Sequence, residues 1–250
     1  MLSQCRIKFH VLFTFAATLL TMAAYAQGPI PEDNYSKSQL NSDAGAQPIH
    51  VHDPLEPVNR FFFQFNDKLY FWILKPVARG YKTVVPHTAR TGVDNFFDNL
   101  KMPVRAVNCT LQGDLDGTST ELTRFLINST WGVAGVMDPA RHHCQIKPRP
   151  EDTGQTFGRY GAGSGFFINW PVLGPSNLRD SVGRIGDMLL NPFTYLRDPA
   201  GLRYALRGTE RINSTSLRLG EYEEFKEGAL DAYISLRNAY EQYRRSAIRR

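Results

Sequence analysis

Long uncharged apolar runs are missing from most of this 250-residue chain. Beyond residue 26, no such run approaches the roughly 20 residues that a helix needs to cross the hydrocarbon core of a bilayer. An ordinary transmembrane helix is therefore excluded there, although 42% of all residues are hydrophobic.

One short apolar run stands at the start of the chain. Arg6 and Lys8 precede FHVLFTFAATLLTMAA, and the small-residue segment AYA ends at Ala26. This order of basic, apolar and small residues predicts a secretory signal peptide over residues 1–26, cleaved between Ala26 and Gln27. A membrane anchor is the alternative, but the run is short for a span. We therefore expect a protein exported to an oxidising compartment.

A strong charge of either sign is also missing. Lys and Arg number 29, of which two lie in the predicted signal peptide, and Asp and Glu number 24. The small remaining excess of positive charge does not predict nucleic-acid binding. Only the C-terminus concentrates cations, which fits either a solvated helix end facing the negative end of the helix dipole or contact with anionic lipid. These cations are Arg244, Arg245, Arg249 and Arg250.

Cysteine is scarce, which excludes a disulfide-rich scaffold. Cys5 lies in the predicted signal peptide, and only Cys109 and Cys144 remain. Two cysteines in an oxidising compartment favour a Cys109–Cys144 disulfide. His142 and His143 precede Cys144, but no second ligand pair at zinc spacing lies nearby, so no metal site is predicted.

The exported chain divides into a linker and one domain. Residues 27–52 are rich in Pro, Ser, Asn and Asp and have no apolar period, which predicts a flexible linker. Helical patterns separated by Pro and Gly fill residues 53–250, and strand-like alternation is scarce outside FFINWPV. The expected class is all-α, built from short amphipathic helices and a long C-terminal helix with a tyrosine stripe. Thr118 and Glu121 have capping-box spacing at the start of another helix.

The helix expected from Pro57 to Lys75 is apolar on nearly every side. Two interpretations remain open for it: a central core helix buried on most sides, or a helix that contacts acyl chains. The candidate contact residues are Phe61, Phe62, Phe65, Phe71 and Trp72.

A glycine-rich stretch, GRYGAGSGFFINWPVLGPSNLRD, resembles a phosphate-binding loop at first sight. The dinucleotide motif needs Gly-x-Gly-x-x-Gly at the mouth of a helix, whereas these glycines are two apart and Pro171 and Pro175 exclude a long helix after them. No nucleotide or other cofactor is predicted. The glycines should instead provide positive φ or close backbone approach in a compact loop. This candidate loop comprises Gly161, Gly163 and Gly165 and ends at Arg179 and Asp180.

A periplasmic hydrolase is a second class to consider. Ser164 lies between glycines, but the spacing differs by one residue from that of a Gly-x-Ser-x-Gly nucleophile. Asp138 and His142 could complete a site only if the fold brought them to Ser164.

Several ordered motifs together resemble the MlaA (VacJ) family over about residues 53–245. They are DPLEPVNRFFFQFND, MPVRAVNCTLQGD, RFLINSTWGVAGVMDPA and EDTGQTFGRYGAGSGFFINWPVLGPSNLRDSVG. The resemblance implies a ring of helices in the inner leaflet of a Gram-negative outer membrane, with an amphipathic channel at its centre. Such a protein removes misplaced phospholipid from the outer leaflet, passes it to a periplasmic lipid carrier and associates with porin trimers. It does no covalent chemistry.

The resemblance also implies roles for the candidate residues. The helix from Pro57 to Lys75 would face the membrane, and the glycine-rich loop would gate the channel. Members are commonly lipoproteins with a cysteine directly after the apolar run of the signal, whereas Cys5 precedes that run here. Lipid attachment is therefore not expected. A structural envelope protein that only binds porin is the third class.

We predict that the mature protein begins at Gln27 and carries no acyl chain, because AYA at the end of the apolar run suits cleavage by signal peptidase. The intact mass of the purified protein measures both properties. A mass that includes acyl chains or residues 1–26 would contradict this prediction.

Overall fold

The computed structural model describes residues 51–195 and 201–249. The predicted signal peptide, its cleavage site between Ala26 and Gln27, and residues 27–50 of the predicted linker lie outside the described residues.

The described chain is mainly helical, which confirms the predicted all-α class. Helix α1 continues through a π-helical stretch into α2, and one antiparallel hairpin interrupts the later helices. The elements are α1 Glu56–Leu69, the π-helix Tyr70–Leu74, α2 Lys75–Val84, α3 His87–Leu100, α4 Met102–Leu111, α5 Leu115–Thr130, α6 Pro139–His142, α7 Thr153–Arg159, β1 Phe167–Trp170, β2 Gly174–Asn177, α8 Leu178–Leu190, the 3-10 helix Pro192–Tyr195, α9 Gly201–Leu217, α10 Glu221–Glu227 and α11 Ala232–Ile248.

Two helix boundaries differ from the sequence prediction. Helix α5 begins at Leu115, one turn before the predicted capping box, because the Asp114 carboxylate accepts a hydrogen bond from the backbone N–H of Gly117. The expected continuous C-terminal helix is divided into α10 and α11 between Glu227 and Ala232. The Asp231 carboxylate starts α11 afresh by accepting bonds from the backbone N–H groups of Tyr233 and Ile234.

Packing between elements runs in a closed circuit. The segment from α1 through the π-helix to α2 contacts α9, and α9 also contacts α3. Helix α3 leads to α4, which contacts α5, α7 and α8; α8 contacts β2, and β1 returns to α1. This circuit accords with a ring-like assembly of short helices.

The interior of this assembly is more polar than that of an ordinary small domain. Among the described residues, twenty polar or charged residues are buried against ten hydrophobic ones. Burying a polar group lowers the stability of the fold unless the group is hydrogen-bonded. Hydrogen bonds, more than a hydrophobic core, must therefore specify how these helices pack. We call this interior the polar core; fully buried members include Asn59, Asn108, Glu121, Gln155, Asn169, Asn177 and Asn213.

Arg244 on α11 is the point where the polar core joins three helices. Its Nη1 donates to Asp152 Oδ2 at 2.6 Å, and its Nη2 donates to Asp180 Oδ1 at 2.8 Å. Asp152 is the N-cap of α7, and Asp180 lies in the first turn of α8. Tyr240 adds a hydroxyl that donates to Asp180 Oδ2 at 2.7 Å. We call these four residues the arginine junction.

Close approach of α7 and α8 makes this junction possible. A Cβ added to Gly183 on α8 would lie 2.4 Å from the backbone nitrogen of Gly154 on α7. A Cβ added to Gly154 would lie 2.5 Å from Asp180 Oδ1 and 2.8 Å from Arg244 Nη2. Neither helix could present a side chain there without displacing the other or the ion pair.

The charges at the junction stabilise one another. Burial by itself would lower the pKa of Arg244, but Asp152 and Asp180 outweigh it, and the pKa is raised. Burial would raise the pKa of Asp152, but the Arg244 guanidinium and the N–H of Gln155 hold it below its usual value of 3.8. Both partners therefore stay charged at neutral pH.

We expect Arg244→Ala to lower the free energy of unfolding by about 2–4 kcal/mol, because it removes the cation paired with the partly buried Asp152 and one of the two cations paired with the buried Asp180. Arg245→Ala is the matched control, since Arg245 is exposed on the same helix and should cost less than about 0.5 kcal/mol. Denaturant unfolding in mild detergent, followed by circular dichroism, measures both.

The pH dependence of stability distinguishes the contribution of the Arg244–Asp152 ion pair from that of packing by the Arg244 side chain. Because the pKa of folded Asp152 is depressed, its stabilisation is present above its unfolded value of 3.8 and is lost as pH falls through the folded value. The wild type and Arg244→Ala should therefore differ less in free energy of unfolding below about pH 4, where Asp152 becomes protonated and loses its attraction to Arg244. A difference that stays constant with pH would mean that Arg244 acts only by packing.

Candidate functional site

An exposed aromatic surface covers α1 and the π-helix. Phe61 is 64% exposed, Trp72 is 73% exposed, and Phe65 is also exposed. Phe62 and Phe71, the other two predicted contact residues, are half-buried. Rings of this size are normally removed from water in a soluble domain, so the surface requires an apolar partner.

Polar side chains on the other side of α1 hold it to the protein. The Asn59 amide donates to the backbone carbonyl of Phe167 at 3.0 Å and accepts from the N–H of Asn169 at 2.8 Å. Further along, Lys226 Nζ lies 2.8 Å from Asp67 Oδ1. The helix thus directs Asn59 and Asp67 inward and the rings of Phe61 and Phe65 outward, although Phe63 packs on Tyr233. This exposure of large rings differs from the usual amphipathic arrangement.

This orientation contradicts one of the two interpretations of the segment, and contact with acyl chains stays a prediction. A central core helix would bury its aromatic residues, whereas only Asn59 is buried within α1 and no residue of the π-helix is buried. The core-helix interpretation is therefore wrong. Phe71 is half-buried because it packs at the edge of this surface, with Lys75 Nζ 4.9 Å from its ring centroid.

The apolar exposure extends beyond α1. Large hydrophobic side chains are more than half exposed on α2, α5, α8, α9 and the connections between elements. These side chains include Val84, Leu115, Leu126, Trp131, Leu173, Ile185, Leu189 and Tyr204. We call them, together with Phe61, Phe65 and Trp72, the apolar surface. Across residues 51–195 and 201–249, no helix combines the length and apolar character needed to span a membrane.

The glycine-rich loop connects α7 to β1, and its three glycines differ from one another. Gly161 and Gly165 have φ values of 90° and 72°, which a side chain rarely adopts. Gly163 has no positive φ, and a Cβ added to it would meet nothing within 4 Å. The expectation that all three glycines meet a backbone requirement is therefore wrong for Gly163, which occupies open space.

Arg179 and Asp180 lie in α8 and not at the end of an exposed loop. Their side chains are only 7% and 6% exposed, and Arg179 Nε donates to Asp180 Oδ1 at 2.9 Å. Residues 167–177 form the hairpin, with Phe167 opposite Asn177 and Trp170 opposite Gly174. The prediction was wrong about the extent of the loop, because β2 and the Asn177 cap end it before Arg179.

The predicted disulfide is absent, and both thiols are free. Cys109 is buried on α4, where burial raises the pKa of its thiol to about 11. Cys144 is exposed in the connection after α6. Helix α5 explains the separation, since a Cβ on Gly117 would lie 3.0 Å from Cys109 Sγ and the thiol therefore faces α5.

The hydrolase hypothesis gains no support from the position of Asp138. Its Oδ2 accepts from Arg124 Nη2 at 2.8 Å, and its Oδ1 accepts from Asn128 Nδ2 at 2.9 Å. The carboxylate also caps α6 through the N–H of Arg141. The Asp138 carboxylate thus pairs with Arg124 and Asn128 in the polar core, and no contact of it orients the His142 ring. Among the described residues, no group of three His, Cys, Asp or Glu is placed to hold a metal ion.

A basic pocket of about 620 Å³ lies between the start of α5, the connection 141–151 and the end of α7. Its charged lining consists of Arg141, Lys147, Arg149, Arg159, Asp114 and Glu151. Sequence reasoning missed this pocket because its four cations, spread over residues 141–159, match no known binding motif. The run IKPRPED carried a partial signal, since prolines there alternate with basic residues.

Comparison with known proteins is consistent with this architecture. Residues 51–247 match the family described as MlaA lipoprotein. The chain is 34% identical to the Escherichia coli K12 protein named intermembrane phospholipid transport system lipoprotein MlaA, over 76% of each chain. The Haemophilus influenzae protein of the same name is 28% identical, over 81% of each.

A solved structure has a similar fold. It was reported as "Structural basis for maintenance of bacterial outer membrane lipid asymmetry", and it is 32% identical with a TM-score of 0.67. The match covers 78% of this chain and 98% of the solved one.

We expect Trp72 to contact acyl chains, because its ring is largely exposed on the apolar surface. In the variant Trp131→Phe/Trp170→Phe, Trp72 is the last tryptophan, and phospholipids brominated on their acyl chains should quench at least about half of its fluorescence if the ring lies within the headgroup–acyl boundary. Unbrominated phospholipid is the control. Equal fluorescence in the two lipids would show that Trp72 faces water or protein.

Proposed function

Because the chain belongs to the MlaA family, we propose that it removes mislocalised phospholipid from the outer leaflet of an outer membrane. It passes this lipid to a periplasmic carrier and so maintains the lipid asymmetry of the membrane. The observation that best supports this function is an apolar surface around a polar core, in a described chain whose helices are too short or too polar to span a membrane.

The apolar surface supports residence within one leaflet. A helix that lies in the membrane plane buries aromatic and aliphatic side chains about 5–10 Å into the boundary between headgroups and acyl chains. The outward rings of Phe61 and Trp72 are suited to that depth, since aromatic side chains favour the membrane interface. In water, the same rings would form an aggregation-prone patch.

The polar core supports a path for headgroups. A phospholipid that leaves one leaflet must keep its charged head away from hydrocarbon, because an unpaired charge there costs several kcal/mol. We propose that the circuit of helices encloses such a polar path, whose wall is held together by the packed residues of the polar core, while the apolar surface accommodates the tails. Moving a lipid by this route breaks no covalent bond, so the protein needs no nucleophile and is not an enzyme.

Partners follow from the same proposal. Outer-membrane porin trimers would contact part of the apolar surface, and a periplasmic lipid carrier of the Mla system would receive the lipid. Attachment without an acyl chain would depend on the apolar surface and on porin. The glycine-rich loop, with Gly161 and Gly165 in conformations that restrict substitution, is the candidate gate.

A strain lacking this protein should accumulate phospholipid in the outer leaflet, and the wild-type gene should reverse the defect. Phe61→Asp should fail to restore asymmetry, because it places a carboxylate against acyl chains at a cost of several kcal/mol. Gln64→Asp is the matched control, because Gln64 is an exposed polar residue on the same helix. Outer-leaflet lipid labelling and survival in detergent with chelator are the measurements.

Protein abundance must be equal across these strains. Phe61 is largely exposed, so its replacement removes little packing and the variant should still fold. Ser164→Ala and His142→Ala should restore asymmetry fully. Loss of clearance in either, with the protein folded and membrane-bound, would favour a hydrolase. An unchanged outer leaflet in the deletion strain would leave only a structural role at porin.

A further inference from the structure

We propose that the basic pocket binds the phosphate of a phospholipid headgroup. This inference rests on the proposed function and adds a position at which the lipid is held. The pocket presents four cations and two carboxylates and has a volume of about 620 Å³. Ligand pockets of small molecules are typically about 300–1,000 Å³, so a phosphodiester headgroup fits within it.

Buried polar side chains hold the backbone of the pocket in place. Glu121, which is fully buried, accepts from the backbone N–H of Arg149. Arg124 donates to the carbonyl of Ile146, and Gln155 Nε2 donates to the carbonyl of Pro150 at 2.7 Å. The connection that carries Lys147 and Arg149 is therefore fixed from beneath by the polar core, and their side chains are exposed.

The two carboxylates of the lining are occupied within the protein. Asp114 Oδ1 accepts from the N–H of Gly117 at 2.8 Å, and Glu151 Oε2 accepts from Gln112 Nε2 at 3.0 Å. Both carboxylates accept from neutral donors and keep their charge, and four cations against two carboxylates give the lining a net positive charge. Arginine presents paired N–H donors that match phosphate oxygens, so Arg149 and Arg159 are the groups best suited to an anionic head.

Apolar residues next to the pocket fit the rest of a lipid. Leu115 follows Asp114 directly and is 72% exposed, and Leu111 is 50% exposed. Tyr160, the residue after Arg159, donates its hydroxyl to the carbonyl of Leu111 and so joins α7 to α4. Leu115 and Tyr160 are chain neighbours of the lining residues Asp114 and Arg159 without lining the pocket themselves. This places apolar groups within reach of the tails of a bound lipid, which suits an amphiphile better than a free anion.

The test uses the mature protein in neutral detergent and measures lipid adducts by native mass spectrometry. Dioleoylphosphatidylglycerol is the probe, and dioleoylglycerol has the same tails without the phosphate. Arg149→Ala/Arg159→Ala should bind the phospholipid about tenfold or more weakly, because two charge-assisted hydrogen bonds are lost. Binding of dioleoylglycerol should be unchanged. Arg149→Lys/Arg159→Lys should recover part of the loss.

The matched control is Lys82→Ala/Arg245→Ala, which removes two exposed positive charges elsewhere. Phospholipid binding that is equal in the wild type and in Arg149→Ala/Arg159→Ala, or lost equally in the control, would overturn the proposal. Competition by inorganic phosphate at the same concentration as the lipid would also overturn it, by assigning the pocket to a free anion.

These outcomes are separable from the proposed function. If wild type clears outer-leaflet lipid but the double arginine variant binds phosphatidylglycerol normally, only the pocket proposal fails. If the variant loses binding while wild type does not clear lipid in cells, only the transport function fails.

Discussion

Arg244 lies where α7, α8 and α11 meet, and the rest of the described fold depends on interactions of its kind. Ordinary small domains are specified by apolar packing, whereas here buried amides and ion pairs occupy the interior and apolar groups lie outside. Such a core is stable only if its partners are complete. The bidentate contact with Asp152, the contact with Asp180, and the glycine pair that lets α7 approach α8 supply most of the partners at this point.

The same arrangement links stability to function. Polar groups that join helices from the inside leave the outer faces free for hydrocarbon, which needs no hydrogen bonds. Asn59 and Asp67 show this division on one helix, since they anchor it inward while Phe61 and Trp72 face out. The basic pocket extends the polar core to the surface because Glu121, Arg124 and Gln155 hold its backbone.

Much of the fold could be predicted from the sequence, because periodicity and punctuation are local. The all-α class, the strand-like segment near Phe167 and the aromatic character of the first helix follow from residues close together in the chain. Boundaries were less secure. Asp114 starts α5 one turn before the start predicted from the sequence, and Asp231 starts α11 at a point where no new helix was predicted. A helix cap depends on one carboxylate, whereas periodicity shows only the body of a helix.

The sequence by itself determined that aromatic side chains on α1 exceed what one buried stripe needs, and that no apolar run after residue 26 is long enough for a membrane span. Only the tertiary structure decided that those rings point outward, that Cys109 faces α5 and not Cys144, and that Arg179 and Asp180 belong to the core. It also brought Arg149 and Arg159 to one pocket. The physical reason is that burial and ion pairing depend on which elements meet, and Arg244 pairs with residues 64 and 92 positions away.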